Sequence, residues 1–230
     1  MMRRICDFHS HVLPAQDHGS DGEETSRAQI DIIRRAGVCE IVATPHFYAH
    51  RESVDSFLER REYSKEKIVP YAESVGVKLH IGAEVLLCPG MEHMEGLERL
   101  CIEGTNTLLL ELPFAHWSNE LISTVYNISR MDFTVVMAHI DRYLKRDLSQ
   151  IVEIENLNYQ LNASSLSSFF GRKQILSLID EGMISAIGSD LHGTKGYGDF
   201  TKAMKVMGEE RVSLIANSTQ NLLASKPIAK

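Results

Sequence analysis

The sequence predicts an α/β fold, a distorted (β/α)7 barrel in one domain, on three observations. Short β-rich runs recur along the chain, helix-length segments separate them, and most runs end in His, Glu or Asp. Runs rich in Ile, Val and Leu, without strict alternation, suit strands covered on both faces of a parallel sheet. Strand and helix alternate over residues 1–230 without a Pro/Gly/Ser-rich linker or a low-complexity block, which predicts a single unit. In such barrels the chemistry sits where strands pass into βα loops. The metal-binding residue types fall at those places.

The elements follow in order. Arg4 to Phe8 is the first strand; it leads into Asp7-Phe8-His9-Ser10-His11, whose alternate histidines can face one ion. Glu23 to Ala36 follows Ser-Asp-Gly and stops at Gly37, a C-terminal cap, with Ala28, Ile32, Ile33 and Ala36 as its apolar face. The strand Glu40 to Thr44 ends in Thr44-Pro45-His46, and Glu52 to Ser74 is a long, heavily charged helix exposed on one side. Lys78 to Glu84 ends in Gly82-Ala83-Glu84 and precedes a helix over Met91 to Ile102. Thr107 to Leu112 carries Glu111 and precedes the helix Asn119 to Met131; Thr134 to Ala138 runs into His139 and precedes a helix over Leu148 to Asn156. Tyr159 to Ala163 and Ile184 to Ser189 are the last strands, separated by the helix Arg172 to Glu181; the second runs into Asp190-Leu191-His192. Phe200 to Met207 is the next helix, and Glu209 to Ala216 and Thr219 to Ala224 read as two short helices split by Asn217-Ser218.

Composition narrows the function. A net charge of −7 counts against non-specific nucleic-acid binding, which needs a basic surface. It permits an anionic substrate, because bound metals dominate the field within a pocket. No apolar run approaches the roughly 20 residues that cross a bilayer. The N-terminal segment lacks the apolar stretch of a signal peptide, so a cytoplasmic location is expected. Cys6, Cys39, Cys88 and Cys101 form no C-x-x-C pair and mostly adjoin apolar runs, which predicts buried free thiols.

A lone histidine is usually a surface or core residue. Here His9, His11, His18, His46, His139 and His192 share strand ends and the first βα loop with Glu84, Glu111 and Asp190, and that combination predicts a metal site. Mixed imidazole and carboxylate donors suit Mn, Fe or Zn better than an all-oxygen Mg or Ca site. Arg142, just past His139, is the candidate for a bidentate hold on phosphate. A cysteine phosphatase is set aside: arginine should follow the nucleophile by six residues, and those positions hold Val12, Pro45, Met94 and Thr107. No G-x-x-x-x-G-K-[ST] or G-x-S-x-G motif occurs either.

The pieces Asp7-Phe8-His9-Ser10-His11-Val12-Leu13-Pro14, Ala43-Thr44-Pro45-His46, Gly82-Ala83-Glu84, Leu110-Glu111, Ala138-His139-Ile140-Asp141-Arg142-Tyr143, Asn162-Ala163-Ser164-Ser165 and Gly188-Ser189-Asp190-Leu191-His192 occur in this order. With them the chain resembles the polymerase-and-histidinol-phosphatase (PHP) superfamily of metal-dependent phosphoesterases. Within it, the chain is most similar to the bacterial manganese-dependent protein-tyrosine phosphatases of capsule and exopolysaccharide operons. The resemblance implies a PHP-type barrel holding three divalent ions, Mn2+ first, with Fe or Zn as alternatives. His9, His11, Glu84 and Asp190 would hold one ion, and Glu84, Glu111 and His139 a second. His18, His46 and His192 would hold the third. Three ions, three carboxylates and a bridging hydroxide leave a surplus of about two positive charges, which matches a phosphomonoester dianion.

The expected reaction is in-line attack by a metal-bound hydroxide on protein phosphotyrosine, with Arg142, Asp190 and His192 as the catalytic set. A phenolate leaving group, of parent pKa about 10, requires no obvious general acid. Arg142 and Lys195, the latter in the Gly-rich stretch 193–198, are the expected substrate contacts. Asp7 is read as orienting a histidine or the backbone. The implied partner is a phosphotyrosine protein, a bacterial tyrosine kinase among the candidates, with no nucleic acid and no membrane span. Relatives assemble into rings, and Glu23, Glu24 and Arg27 are available for homo-oligomer formation. Small-molecule phosphatase activity, as on histidinol phosphate, and nuclease-type phosphoesterase activity are the alternatives. Two departures from the relatives stand out. Asp17-His18-Gly19 replaces Asp-Asp-Gly, and Tyr197 stands where an arginine is common.

Overall fold

A computed structural model describes residues 5–228 except Asp147, Phe169 and Phe170. Its strands are β1 (Cys6–Ser10), β2 (Glu40–Ala43), β3 (His46–Phe47), β4 (Lys78–Ile81), β5 (Glu84–Leu86), β6 (Thr107–Glu111), β7 (Thr134–Met137), β8 (Leu157–Asn162) and β9 (Ile184–Gly188). Its α-helices are α1 (Glu23–Arg35), α2 (Val54–Ser74), α3 (Asn119–Ser129), α4 (Ser149–Val152), α5 (Ala163–Ser167), α6 (Arg172–Asp180) and α7 (Gly198–Leu223). All strand pairs are parallel. They form one sheet in the order β1-β2-β4 and another in the order β3-β5-β6-β7-β8-β9.

The two sheets are parts of one curved wall. Two of the expected strands stop early and are each followed by a further short strand, β3 after Thr44-Pro45 and β5 after Gly82-Ala83. Proline cannot donate to a ladder, so β2 stops there. Hydrogen bonds carry the pairing across both breaks, from Gly82 N–H to Ala43 O at 2.9 Å and from Glu84 N–H to Pro45 O at 3.0 Å. On the other side, β9 approaches β1 through a parallel bridge between Ser10 and Leu191. Asp190 N–H donates to His9 O at 2.7 Å, and His11 N–H to Leu191 O at 3.3 Å. The seam between first and last strands is therefore short, and a side chain reinforces it. Gln29 of α1 directs its Nε2 to His11 O, Gly19 O and Leu191 O at 3.0–3.4 Å.

Period-two alternation sorts the apolar residues into two cores. Cys6, Phe8, Val42, Leu109, Val136, Ala138 and Ala186 form the inner cluster. Their neighbours Ile41, Leu108, Leu110, Val135, Met137 and Ile187 belong to the larger cluster packed under the helices. Helix α2 joins that shell by a stripe at helical spacing, Val54, Phe57, Arg61, Ser64, Ile68 and Ala72, while its other faces stay in solvent. Among the described residues no helix is long and apolar enough to cross a membrane.

Several elements depart from expectation. Met91–Ile102 is two 3-10 turns, Met91–His93 and Leu97–Leu100, each preceded by a glycine in the left-handed region: Gly90 at φ 80° and Gly96 at φ 81°. The C-terminal segment is two helices that meet at a kink at Gly208 (φ 74°), where the boundary between Phe200–Met207 and Glu209–Ala216 was expected, but Asn217 and Ser218 are helical and the second split is absent. Leu148–Asn156 contracts to the single turn α4, and α5 was not expected at all. The buried face of α1 is Ser26, Gln29, Ile30 and Ile33, rotated from the expected one because Gln29 must reach the seam. Gly37 does cap α1, at φ 86°, with Gly37 N–H donating to Arg34 O at 2.9 Å. All four cysteines are free; Cys6 and Cys101 are buried, and Cys39 and Cys88 partly so.

Replacing Leu109, which belongs to the inner cluster at 1% exposure, by alanine leaves a cavity among its buried neighbours. Chemical denaturation should show a loss of about 2–5 kcal/mol. The surface control Tyr63→Ala should stay within about 0.5 kcal/mol of wild type.

Candidate metal centre

The strand ends deliver their polar side chains to one mouth of the wall. The β1–β2 register shifts between Asp7 and Ser10, and this irregularity lets Phe8 join the inner core while His9 also turns inward. His9 Nε2 and His11 Nε2 come within 3.2 Å of each other. Glu84 Oε2 lies 3.2 Å from His9 Nε2, 3.4 Å from His11 Nε2 and 2.9 Å from His46 Nδ1. Its Oε1 is 2.8 Å from His139 Nε2, which lies 3.5 Å from Glu111 Oε1. Asp190 Oδ1 is 3.3 Å from His11 Nε2 and 3.5 Å from His192 Nδ1.

Four overlapping donor groups result, each with its ligand atoms within 4.8 Å of one another: His9–His11–Asp190, His9–Glu84–His139, His46–Glu84–Glu111 and His11–His46–His192. The last differs from the expected third set. His18 is exposed and stands outside these groups, although its ring centroid is 4.4 Å from that of His192 and 5.1 Å from that of His46. Asp17 beside it does not face the centre. It accepts hydrogen bonds from His11 Nδ1–H at 2.7 Å, His46 N–H at 2.9 Å and Gly19 N–H at 2.8 Å.

Whether these donors suit metal ions can be judged from the atoms left without partners. Glu84 Oε2, His46 Nδ1, His139 Nδ1 and His192 Nε2 are buried and make no hydrogen bond. His46 Nδ1 and Glu84 Oε2 are close yet not hydrogen-bonded to each other, as when two lone pairs aim at a common point. Ligands on one ion bound at about 2.1 Å sit about 3 Å apart when their bonds are perpendicular. The donors therefore fit divalent cations.

Tautomers are set for that purpose. His9 Nδ1–H donates to Gln160 Oε1 at 3.2 Å and His11 Nδ1–H to Asp17, which leaves both Nε2 atoms free for the centre. Gln160 Oε1 also accepts His139 N–H at 2.7 Å, and Asn162 Nδ2 donates to Asp190 Oδ2 at 2.9 Å. Sequence reasoning gave Gln160, Asn162 and Asp17 no such role. An amide in the apolar run Tyr159 to Ala163 was the available signal for Gln160.

The electrostatics show the same demand for positive charge. Burial opposes ionisation of Glu84, but His9, His11, His139 and His46 hold its pKa well below the usual value. Burial likewise works against charge on His11, yet Asp17, Asp190 and Glu84 keep its pKa well above normal. His139, also buried, is lifted to about 9 by Glu111 and Glu84. His192 is pushed down to about 4 by burial and by His11. Arg142 adds its guanidinium, with Nη2 donating to Asp190 Oδ2 and Nη1 lying 3.8 Å from Glu111 Oε1. Asp141, its neighbour in sequence, accepts Asn162 N–H at 2.8 Å.

Close approach constrains two glycines. A Cβ on Gly19 would lie 2.1 Å from His11 Cβ, and one on Gly188 would lie 2.5 Å from His9 Cβ. His139 (φ 31°) and Asp190 (φ 52°) occupy the left-handed region without being glycine, which costs energy and recurs at functional sites.

The substrate side is more selective than expected. A cavity of about 520 Å³ opens over the centre, with Arg142, Asp190 and His192 in its lining and Tyr48, Leu86 and Phe114 on its walls. Lys195 is exposed and does not line it. Tyr197 is buried and stacks on Phe200 with ring centroids 5.3 Å apart, so it fills the core where an arginine would reach the substrate. Asp7 accepts Ser189 N–H at 2.7 Å, an orienting role, and burial raises its pKa to about 6.

Known proteins bear on this centre. The family described as capsular polysaccharide synthesis, CpsB/CapC, matches residues 5–218. The chain is 30% identical to CapC of Staphylococcus aureus over 82% of this chain and 77% of that protein. It is 27% identical to the tyrosine-protein phosphatase YwqE of Bacillus subtilis over 97% of this chain and 93% of that one. A crystal structure from work on YwqE and on CpsB of Streptococcus pneumoniae, described as metal-dependent tyrosine phosphatases, aligns with a TM-score of 0.78 at 22% identity, covering 98% of this chain and 100% of that chain. A TatD-like protein from Archaeoglobus fulgidus shares the fold more distantly, at a TM-score of 0.55 and 15% identity over 95% of this chain and 100% of that one. Because the match runs from β1 through most of α7, this chain belongs to the CpsB/CapC family of capsular polysaccharide synthesis proteins.

Proposed function

We propose that this chain is a metal-dependent phosphatase that removes phosphate from protein phosphotyrosine. It acts as one domain in the cytoplasm, on proteins that control capsule or exopolysaccharide synthesis, a bacterial tyrosine kinase among them. The observation that carries this reading is the convergence of eight donor side chains at one mouth, in a family whose named members include tyrosine-protein phosphatases.

The residues divide the work. His9, His11, Glu84 and Asp190 would hold a first ion, Glu84, Glu111 and His139 a second, and His46 and His192 a third, with His18 at its rim. Three manganese ions suit the mixed donors, with Fe or Zn as substitutes. Bound there, the ions supply the positive charge and the acidified water that in-line attack on a phosphomonoester requires. Arg142 presents a planar fork for the phosphate oxygens, steadied by Asp190, which Asn162 holds in turn. A phenol of parent pKa about 10 leaves without a general acid, so none need be assigned.

Stripping the protein with a chelator should abolish hydrolysis of a phosphotyrosyl peptide, and Mn2+ should restore it. Histidinol phosphate and labelled DNA should be turned over far more slowly; a preference for either would replace the proposed substrate. Because His11 and His139 carry protons in place of cations, loading with Mn2+ in weak buffer near pH 7.5 should release protons.

Glu84→Ala and His139→Ala should each lower turnover by about a thousandfold or more while circular dichroism stays that of a folded chain. Undiminished phosphate release would place the activity elsewhere. Asp17→Asn keeps the loop's shape but weakens the hold on His11, so metal affinity by chelator competition should fall about 10–100-fold.

A further inference from the structure

We infer that Phe114, on the loop after β6, is the wall that recognises the aromatic ring of the leaving group, and that Arg146 is the positioning residue that fixes this wall. The inference rests on the phosphatase reading and says how that site selects aryl esters. Phe114 lines the cavity over the metal centre and is 62% exposed. A single exposed phenylalanine is ordinary. This one is distinguished by how its backbone is held.

Four consecutive carbonyls of the loop each accept a hydrogen bond from a side chain. Tyr143 Oη–H donates to Leu112 O. Trp117 Nε1–H donates to Pro113 O at 2.9 Å. Arg146 Nη2–H donates to Phe114 O, and its Nη1–H to Ala115 O at 2.9 Å. Arg146 is itself fixed over aromatic faces, 5.4 Å from the centroid of Trp117 and 5.7 Å from that of Tyr143. A segment with no helix or strand of its own is thereby locked, and the ring of Phe114, its centroid 5.8 Å from that of Tyr143, keeps its other side exposed to the cavity. Holding a contact residue in advance lowers the ordering cost of binding.

The direction of that side chain identifies its partner. Arg142 touches both the carboxylate floor, through Asp190, and the Phe114 ring, whose centroid lies 6.0 Å from its guanidinium carbon. A phosphate gripped by Arg142 carries its ester group beside Phe114, with Leu86 and Pro113 also on the cavity wall. A phenyl ring is long and flat enough to lie edge or face against Phe114. The methylene of a serine ester and the methine of a threonine ester present no flat face to stack on it.

Phenylphosphonate and methylphosphonate, titrated calorimetrically into the manganese-loaded protein, test this without turnover. Wild type should bind the phenyl compound about tenfold more tightly. Phe114→Ala should bring the two affinities together by weakening only the phenyl compound, and Phe114→Tyr should keep the preference. Arg146→Met, which removes two of the four anchors, should fall between them. With a phosphotyrosyl peptide, the loss in Phe114→Ala should appear in KM rather than kcat. A phenyl preference that survives Phe114→Ala, or equal weakening of both probes, would overturn the assignment. Phe114-dependent phenyl binding without hydrolysis of any phosphomonoester would instead uphold the wall and discard the phosphatase reading.

Discussion

The buried carboxylate of Glu84 sets the terms for the rest of this structure. An ionised group at 1% exposure is tolerable only if positive charge or hydrogen-bond donors surround it. His9, His11, His46 and His139 do surround it, the first two from the end of β1 and the others from β3 and the end of β7. The imidazoles in turn crowd one another, with His9 Nε2 and His11 Nε2 3.2 Å apart, a donor density that suits protons or cations. Gly19 and Gly188 lack side chains because His11 and His9 need their space.

The fold supplies that convergence by breaking its own regularity. Pro45 interrupts the second strand position and Gly82-Ala83 the third, and both interruptions immediately precede a donor, His46 and Glu84. His139 and Asp190 leave their strands in left-handed conformations that redirect their side chains inward. A smooth barrel with unbroken strands would present alternate residues only. The departures bring donors from separate strands to one place, with the hydrogen bonds around Gly82, Glu84 and Asp190 keeping the wall intact.

Much of this was legible in the sequence because strand ends combine two readable signals, an apolar run and an abrupt His, Glu or Asp. The ligand-bearing strand ends, the helices α1, α2, α3 and α6 and the free cysteines followed from local pattern. What local pattern could not carry was long-range. Gln29 spans the seam and so turns α1 away from its most apolar face. Gly96 breaks a segment whose composition reads as helix, whereas Asn217-Ser218 stays helical because Thr219, buried beside it, donates to Ser185 O at 3.1 Å. His18 has the right residue type in the right loop yet is exposed, and its partly buried neighbour Asp17 orients His11 from behind. Lys195 and Tyr197 share one Gly-rich stretch, but packing sends the tyrosine into the core and leaves the lysine in solvent.

The narrow junction between β1 and β9 joins residues 10 and 191 by one ladder bridge, a few backbone hydrogen bonds and the amide of Gln29. His9 and His11 stand on one lip of that junction, Asp190 and His192 on the other. Whatever cation binds between them is also a rivet that fastens the beginning of the polypeptide to its far end. An ion held there would tie catalytic competence to mechanical integrity, since the same side chains that grip it sit on the two lips of the junction.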